Sequence, residues 1–346
     1  MERTNIQTNF ENSKKIPKKS SKKIDEKKPL LDKLAQLWTN TISNDTINTR
    51  QTLARRAKAK YFTQAYTKQL AQLKSTLQKS YNNTIYGCAH VLFQEGKKIT
   101  SHYCNNRWCI VCNRIRTAKL IIAYKDPIAK LKELHLLTLT IRNVEADILE
   151  YKIENMQKTI STIINTINKR KKRAGEKNIL RGIRKLECTF NETEKTFHPH
   201  FHILVEGYQN AVDIKNEWLK HYKDEALHYL QDIRKADKDS LIEIFKYYTK
   251  IAKNKAIYIE ALDVIFRAMR GKRVYQSFGI KKSVNEDIDT IQSQIIHDLE
   301  EAEKTWEWVE SDWVDKSGEL LTNYKPSEKM NELVKNIKHI DIKIQQ

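Results

Sequence analysis

Three histidines occupy alternate positions in the apolar stretch TFHPHFHILVEG, which runs from Thr196 to Gly207. Alternation with a period of two is typical of a β-strand, in which successive side chains point to opposite faces. One face would carry the histidines, and the other would carry three apolar residues, Phe201, Ile203 and Val205. The apolar face is expected to pack in the core, so the imidazoles would line a site on the opposite side.

Two imidazoles at positions i and i+2 of a strand are close enough to share one divalent ion. The sequence therefore predicts that His200 and His202 are metal ligands. Glu187, on the polar side of the preceding strand, is the candidate third ligand, because its oxygen suits Mg²⁺ or Mn²⁺. His198 precedes Pro199 and is left open as a third imidazole ligand or a DNA contact. A structural histidine cluster without metal is the alternative.

Apolar and polar residues also alternate in two preceding stretches, LHLLTLTIRN (Leu134–Asn143) and RGIRKLECTF (Arg181–Phe190), where Cys188 is expected in the core. Helical patterns cover about 30–79, 146–168, 211–230 and 240–253, and the basic run NKRKKRAGEKN indicates an exposed loop. Because strands and helices do not alternate steadily, the predicted fold is α+β, with a central antiparallel sheet flanked by helices.

The stretch LIEIFKYYTKIAK, Leu241 to Lys253, is expected to form an amphipathic helix. Tyr248 would face the core, whereas Glu243, Tyr247 and Lys250 would share the opposite side. The two adjacent tyrosines therefore have different predicted roles. Considered alone, the polar side could equally be a solvated helix face.

A phenol is a weak nucleophile at neutral pH, because its pKa is about 10. A metal that polarises a phosphate, with Lys246 or Lys250 stabilising the charge, would make attack by Tyr247 feasible. Glu243 could activate a second nucleophile, either water or a hydroxyl group.

Four of the five cysteines lie close together in the sequence, at Cys88, Cys104, Cys109 and Cys112. Four thiolates with these spacings would satisfy a tetrahedral structural Zn²⁺, and a reducing compartment favours metal ligation over disulfides. His90 or His102 could replace Cys88 as the fourth ligand. Structural cysteines without metal are the remaining alternative.

The formal net charge is +20, although residues 286–319 contain twelve acidic and two basic residues. This excess indicates a polyanionic partner such as nucleic acid, with a solvated lysine-rich surface as the alternative. The predicted DNA contacts are Arg107, Arg114, Arg116, Lys171, Lys172 and Arg173. No stretch has the roughly 20 apolar residues of a membrane span, and the N-terminus lacks the core of a signal peptide, so a cytoplasmic protein without membrane contact is predicted.

These motifs together resemble those of the plasmid rolling-circle replication initiators of the HUH endonuclease superfamily. The resemblance is to the group whose nucleophile motif is E-x-x-K-Y-x-x-K, which here reads EIFKYYTK from Glu243 to Lys250. The histidine motif HPHFH is intact at His198–His202. The group also has a C-x4-C-P-x-C motif, in which this chain has Ile110 in place of proline. The likeness extends from about Cys88 to Lys282.

The resemblance implies a sheet of HUH type in which His200 and His202, with Glu187, bind the metal. It implies that Tyr247 attacks a phosphate of the plasmid origin DNA, which leaves a 3′-OH primer and a 5′-phosphotyrosyl link to the protein. Glu243 would help to terminate a replication round by activating water.

Four segments are expected: a disordered basic arm at 1–30, a helical region at 31–125 with the zinc module at 88–112, the nuclease domain at 126–284, and an acidic, helical C-terminal extension at 285–346. The extension could contact a host helicase or polymerase, or cover the basic surface, and a homodimer is left open. Two alternatives to an initiator remain: a non-catalytic zinc-containing DNA-binding regulator, and a transposase or mobilisation nuclease with the same active site.

Overall fold

The computed structural model describes residues 50–95, 98–177, 179–245, 256–283 and 304–342. The predicted basic arm and the predicted positions of Lys246, Tyr247, Tyr248 and Lys250 lie outside these ranges. Within them, no helix has the length and apolar character needed to cross a bilayer.

The α-helices of the described ranges are α1 (Arg50–Leu70), α2 (Gln78–Asn82), α3 (Ile110–Ala129), α4 (Leu149–Arg173), α5 (Tyr208–His221), α6 (Lys238–Phe245), α7 (Ile259–Ala268) and α8 (Glu328–Lys335). The strands are β1 (Val91–Glu95), β2 (Lys98–Ser101), β3 (Leu134–Thr140), β4 (Gly182–Asn191), β5 (Thr196–Glu206), β6 (Asp232–Lys235), β7 (Ile257–Tyr258), β8 (Tyr275–Phe278), β9 (Lys304–Val309), β10 (Asp312–Val314) and β11 (Ile337–Lys338). The predicted α+β class is confirmed, and antiparallel pairing predominates, with β7 and β11 forming a short parallel pair.

The central sheet has five strands in the order β6-β3-β5-β4-β8, and every neighbouring pair is antiparallel. The histidine strand β5 lies in the middle of it. Its apolar residues alternate as predicted, because Phe201, Ile203 and Val205 are at most 1% exposed. The three strands expected from the sequence are therefore the three central strands of one sheet.

Helices cover both faces of this sheet. On the face of Phe201, a continuous core joins β3, β4 and β5 to the apolar sides of α4, α5 and α7. On the histidine face, Leu204 packs in a second core with residues of α3 and α6. The imidazoles consequently lie between the sheet and a helical layer, not on an open surface.

Two helix boundaries differ from the prediction. Helix α4 continues through the basic run to Arg173, so the loop predicted from Asn168 is wrong for this part. No helix breaker precedes Gly175, and basic side chains in a last turn interact favourably with the helix dipole. Helix α5 ends at His221 instead of Leu230, because Tyr222 leaves the helical conformation with φ −107° and ψ 49°.

The C-terminal segment also differs, since its first described part is a β-hairpin and not a helix. Strands β9 and β10 join β1 and β2 in a second sheet of order β10-β9-β1-β2. Trp306 and Trp308 are buried, whereas Glu307 and Val309 are exposed, which is the period of a half-buried strand. The acidic composition obscured this alternation in the sequence.

We expect Trp313→Ala to lower the free energy of unfolding by about 3–5 kcal/mol, because the indole is completely buried and its removal leaves a cavity. Urea denaturation followed by far-UV circular dichroism measures the change. Val309→Ala in the same hairpin is the matched control, since Val309 is 51% exposed and little should change. Equal stability of both variants would contradict the placement of the C-terminal hairpin.

Candidate metal sites

Three acidic and imidazole side chains converge on the histidine face of the central sheet. Strand β5 pairs with β4 so that His200 lies opposite Glu187, and with β3 so that His202 lies opposite Thr138. The Nε2 atoms of His200 and His202 lie 3.4 and 3.6 Å from Oε2 of Glu187. One ligand atom from each residue lies within 4.8 Å of the others, so the three could hold one metal ion, as the sequence predicts.

The outer ring nitrogens orient both imidazoles. Nδ1 of His200 lies 3.0 Å from the carbonyl oxygen of His198, an acceptor, so Nδ1 carries the proton and the Nε2 lone pair faces Glu187. Nδ1 of His202 lies 3.3 Å from the Thr138 hydroxyl. This is the second-layer support that metal-binding histidines usually have.

The Nε2 atom of His202 is buried and has no hydrogen-bond partner among the described residues. Burial, the largest cause, lowers the pKa of His202 below its ordinary value, which favours the neutral imidazole. A buried nitrogen lone pair next to a carboxylate is costly without a cation or donor. The donor set of two imidazoles and one carboxylate therefore fits a divalent ion.

A buried lysine connects this group to helix α6. Lys185 is 1% exposed, its ammonium contacts Oε1 of Glu187, and it donates a hydrogen bond of 2.7 Å to the carbonyl oxygen of Glu243. The carboxylate of Glu243 lies 3.7 Å from Nε2 of His202. Sequence reasoning missed Lys185, although it shares a strand face with Glu187 two residues away.

The described part of α6 follows the predicted pattern. Asp237 caps its first turn by accepting a 2.9 Å hydrogen bond from the backbone N–H of Ser240. Ile244 and Phe245 are buried in the core, whereas Glu243 faces the histidines. The predicted amphipathic helix is thus present as far as Phe245, and Glu243 lies on its polar side.

His198 lies beside the ligand group and not in it. Its ring stacks on that of His200 with 5.0 Å between centroids. Burial, followed by repulsion from His200, lowers the pKa of His198 to about 4, so the ring is neutral at neutral pH. The geometry favours the role of a packing and orienting neighbour over that of a third imidazole ligand.

The second group consists of the four predicted cysteines. Their sulfur atoms converge within 4.8 Å, and the Sγ atom of Cys88 lies 3.5 Å from that of Cys109 and 3.6 Å from that of Cys112. His90 is not part of this group, because its Nε2 faces Glu307 at 3.7 Å. Cys188 is buried in the main core, as predicted.

Local structure prepares the cysteines for a cation. Cys109 and Cys112 stand at the start of α3, where the helix dipole favours thiolates. Burial, followed by the neighbouring Cys104, raises the pKa of both thiols well above the ordinary value. Thiolates are therefore disfavoured at these two positions without a cation, and a metal ion would supply the balancing charge, because the four-sulfur donor set fits a thiophilic metal.

Lys60 forms a second layer around the cysteines. Its side chain is buried, donates a 2.7 Å hydrogen bond to the carbonyl oxygen of Cys88, and lies 5.2 Å from the ring centroid of Trp308. A cationic group at this position would offset part of the negative charge of a tetrathiolate site.

Three of the predicted DNA contacts lie near the start of α3, and one of them is buried. Arg116 is 2% exposed and donates to backbone carbonyl groups at Asn105 and Asn106. Arg107 donates to carbonyl groups of the 269–272 segment, and Arg114 donates to the carbonyl oxygen of Arg55. The burial of Arg116 gives this side chain a structural role in place of the predicted DNA contact. Arg107 and Arg114 are half-buried and remain predicted DNA contacts.

The other predicted contacts lie at the end of α4. Lys171 forms a 2.8 Å ion pair with Glu176, whereas Lys172 and Arg173 are exposed to solvent. All three side chains remain predicted phosphate contacts.

We expect metal-depleted protein to bind Co²⁺ at the cysteines and to develop the absorption of a tetrahedral cobalt–thiolate site, because four sulfur atoms converge there. Spectroscopic titration with Co²⁺ measures this. Cys112→Ser should weaken the band strongly, and Cys188→Ser, which removes a thiol outside the group, should leave it unchanged. An unchanged band in Cys112→Ser would contradict the assignment.

Comparison with known proteins places the chain in a family. Residues 96–329 match the model of a family described as replication protein. A protein named Protein rep from Staphylococcus aureus is 29% identical over 176 residues, which are 45% of this chain and 73% of the relative. One of the same name from Streptococcus pneumoniae is 22% identical over 259 residues, 68% of this chain and 77% of the relative.

A third Protein rep, from Bacillus amyloliquefaciens, is 24% identical over 231 residues, 56% of this chain and 66% of the relative. No solved structure matches the chain. Because the family model covers more than half of the sequence, the chain belongs to this family of replication proteins and is a plasmid replication initiator, as its motifs indicate.

Proposed function

We propose that this replication initiator nicks one strand of the plasmid origin by the HUH mechanism, with Tyr247 as the nucleophile. The observation that carries the proposal is the convergence of His200, His202 and Glu187 beside Glu243, which begins the motif that contains Tyr247. The proximity of Glu243 to His202 supports the proposal that the candidate metal ligands and the proposed nucleophile motif share one site.

The Nε2 atoms of His200 and His202 and the carboxylate of Glu187 would hold Mg²⁺ or Mn²⁺. Bound there, the ion would polarise the scissile phosphate and make phosphorus more open to attack. The hydrogen bonds on the Nδ1 atoms keep both ligand nitrogens directed at Glu187. The protein therefore contributes a rigid set of ligands before DNA binds.

In the nicking step, the phenol of Tyr247 gives up its proton to solvent, its oxygen forms a bond to phosphorus, and the bond from phosphorus to the 3′ oxygen breaks. The leaving oxygen takes up a proton and becomes the 3′-OH primer, while the 5′ end remains linked to the tyrosine. Lys246 and Lys250 flank Tyr247 in the motif and would stabilise the negative charge that develops.

Glu243 is suited to the second half of the reaction. Its carboxylate lies 3.7 Å from Nε2 of His202, and its backbone carbonyl is held by Lys185. A carboxylate beside the metal ligands could accept a proton from water, which would then attack the phosphotyrosyl bond and end a replication round.

The four cysteines would bind a structural Zn²⁺, which would join the residues before β1, those after β2 and the start of α3. The zinc module supports the alternative of a non-catalytic DNA-binding regulator equally well. The buried Glu187 and histidine group favours the enzyme, because a regulator has no need for an unsatisfied imidazole nitrogen.

We expect wild-type protein to form a covalent adduct with end-labelled single-stranded origin DNA in the presence of Mn²⁺, and Tyr247→Phe to form none, because the attacking oxygen is missing. A denaturing gel separates the adduct from the DNA. Tyr248→Phe is the matched control and should retain the adduct.

If the adduct persists in Tyr247→Phe and disappears in Tyr248→Phe, Tyr248 is the nucleophile. If the wild type binds the DNA without cleaving it in Mn²⁺, the non-catalytic regulator is the better account.

Glu243→Gln should still form the first adduct but release it roughly a hundredfold more slowly, because the amide cannot act as a general base. The decay of pre-formed adduct, followed on gels, measures this. Glu332→Gln changes the same group at an exposed site on α8 and should decay like wild type. Normal decay in Glu243→Gln would remove Glu243 from the termination step.

A further inference from the structure

A cleft of about 710 Å³ lies between α4 and the segment 271–276. Arg184 of β4 lines it, with its guanidinium carbon 5.3 Å from the ring centroid of Phe201. Phe201 is on the core face of the sheet, opposite the histidines. The cleft is therefore separated from the candidate nuclease site by the sheet itself.

Arg184 is an unusual residue for this position. It is 5% exposed, and its Nη2 donates hydrogen bonds to Ser161 Oγ at 3.2 Å and Gln276 Oε1 at 2.5 Å. Its Nη1 is buried and has no hydrogen-bond partner among the described residues. No carboxylate of the described ranges forms an ion pair with this guanidinium, so within this part of the chain a buried positive charge lines the cleft without a paired carboxylate.

The rim of the cleft is also basic. Lys158 and Arg273 are exposed, and neither forms an ion pair within the described part of the chain. Glu154 is the carboxylate that lines the cleft, and it is paired with Lys272. The charge that a ligand would meet is thus positive.

We propose that this cleft binds a phosphate group, with Arg184 as the buried donor and Lys158 and Arg273 at the rim. A planar guanidinium matches phosphate oxygens, and a buried guanidinium is stable when an anion pairs with it. Burial, followed by the nearby Arg273, lowers the pKa of Arg184 to about 10, which leaves the group charged at neutral pH.

The phosphate belongs to the DNA backbone or to a free nucleotide. The inference that the phosphate comes from DNA rests on the proposed function. The inference that the cleft binds a phosphate does not depend on it. A backbone phosphate held here would anchor the DNA on the face of the sheet opposite the one where nicking is proposed.

Fluorescence anisotropy of the full-length chain with a labelled DNA duplex, over a range of NaCl concentrations, tests the DNA source. Each lost phosphate contact should reduce the slope of log affinity against log salt by about 0.9. We expect Lys158→Ala with Arg273→Ala to reduce the slope by about two, and Arg184→Gln by about one. Lys329→Ala with Lys335→Ala removes two exposed lysines of α8 and should leave the slope unchanged.

Thermal unfolding with dATP tests the free-nucleotide source. If dATP raises the Tm of the wild type but not of Arg184→Gln, while the salt slopes are equal, the phosphate site is supported with a nucleotide as its ligand. If all variants match the wild type with both duplex and dATP, the proposal is overturned. If circular dichroism shows that Arg184→Gln does not fold, the outcome of both assays is judged from the double variant Lys158→Ala with Arg273→Ala.

The adduct assay with Tyr247 is scored on the same preparations. If the wild type forms no adduct but the cleft variants show the expected reduction in salt slope, the result counts against nicking alone. If the wild type forms the adduct but the cleft variants match it in salt slope and in their response to dATP, the result counts against the cleft alone.

Discussion

The register between β4 and β5 is the constraint on which the candidate site depends. It places Glu187 directly opposite His200, and a slip by one residue would turn the carboxylate into the core on the other face. The apolar residues of that other face, such as Leu186 and Phe201, hold the register because they are completely buried. Close strand contact adds to this, since a Cβ atom at Gly182 would lie 2.2 Å from the carbonyl oxygen of Leu204. The packing of the core thus determines which side chains lie opposite each other on the histidine face.

The cysteine group depends on segments that are far apart in the chain. The indole N–H of Trp313 donates a 2.8 Å hydrogen bond to the carbonyl oxygen of Ala89, next to Cys88, and the indole N–H of Trp308 donates one of 2.7 Å to Gln64. The C-terminal hairpin therefore completes the core around the cysteines. An acidic segment that looked like a separate extension is part of the same folded unit as the cysteine module.

The sequence predictions were correct where they depended on local interactions and wrong where they depended on contacts between distant segments. The faces of β5 and of the described part of α6 were correct, because side-chain direction depends on local periodicity alone. Arg116 was misassigned, because its charge suggested a surface role while the structure buries it against backbone carbonyl groups. Lys304–Val309 was wrongly predicted to be helical because of its acidic composition. The alternating tryptophans of this segment indicate a strand only when its pairing with β1 is known.

The sequence by itself determined which side chains are available as candidate ligands: imidazoles on one face of a strand and four thiols at ligand spacing. It also determined that a tyrosine follows them in a motif that resembles that of the HUH initiators. It could do so because strand parity, ligand chemistry and motif order are local properties. Only the tertiary structure decided that Lys185 joins Glu187 to the carbonyl of Glu243, and that Arg184 lines a cleft with no carboxylate of the described residues paired to it. The burial of a side chain and the groups that it contacts depend on how distant segments pack together, and local periodicity carries no information about that packing.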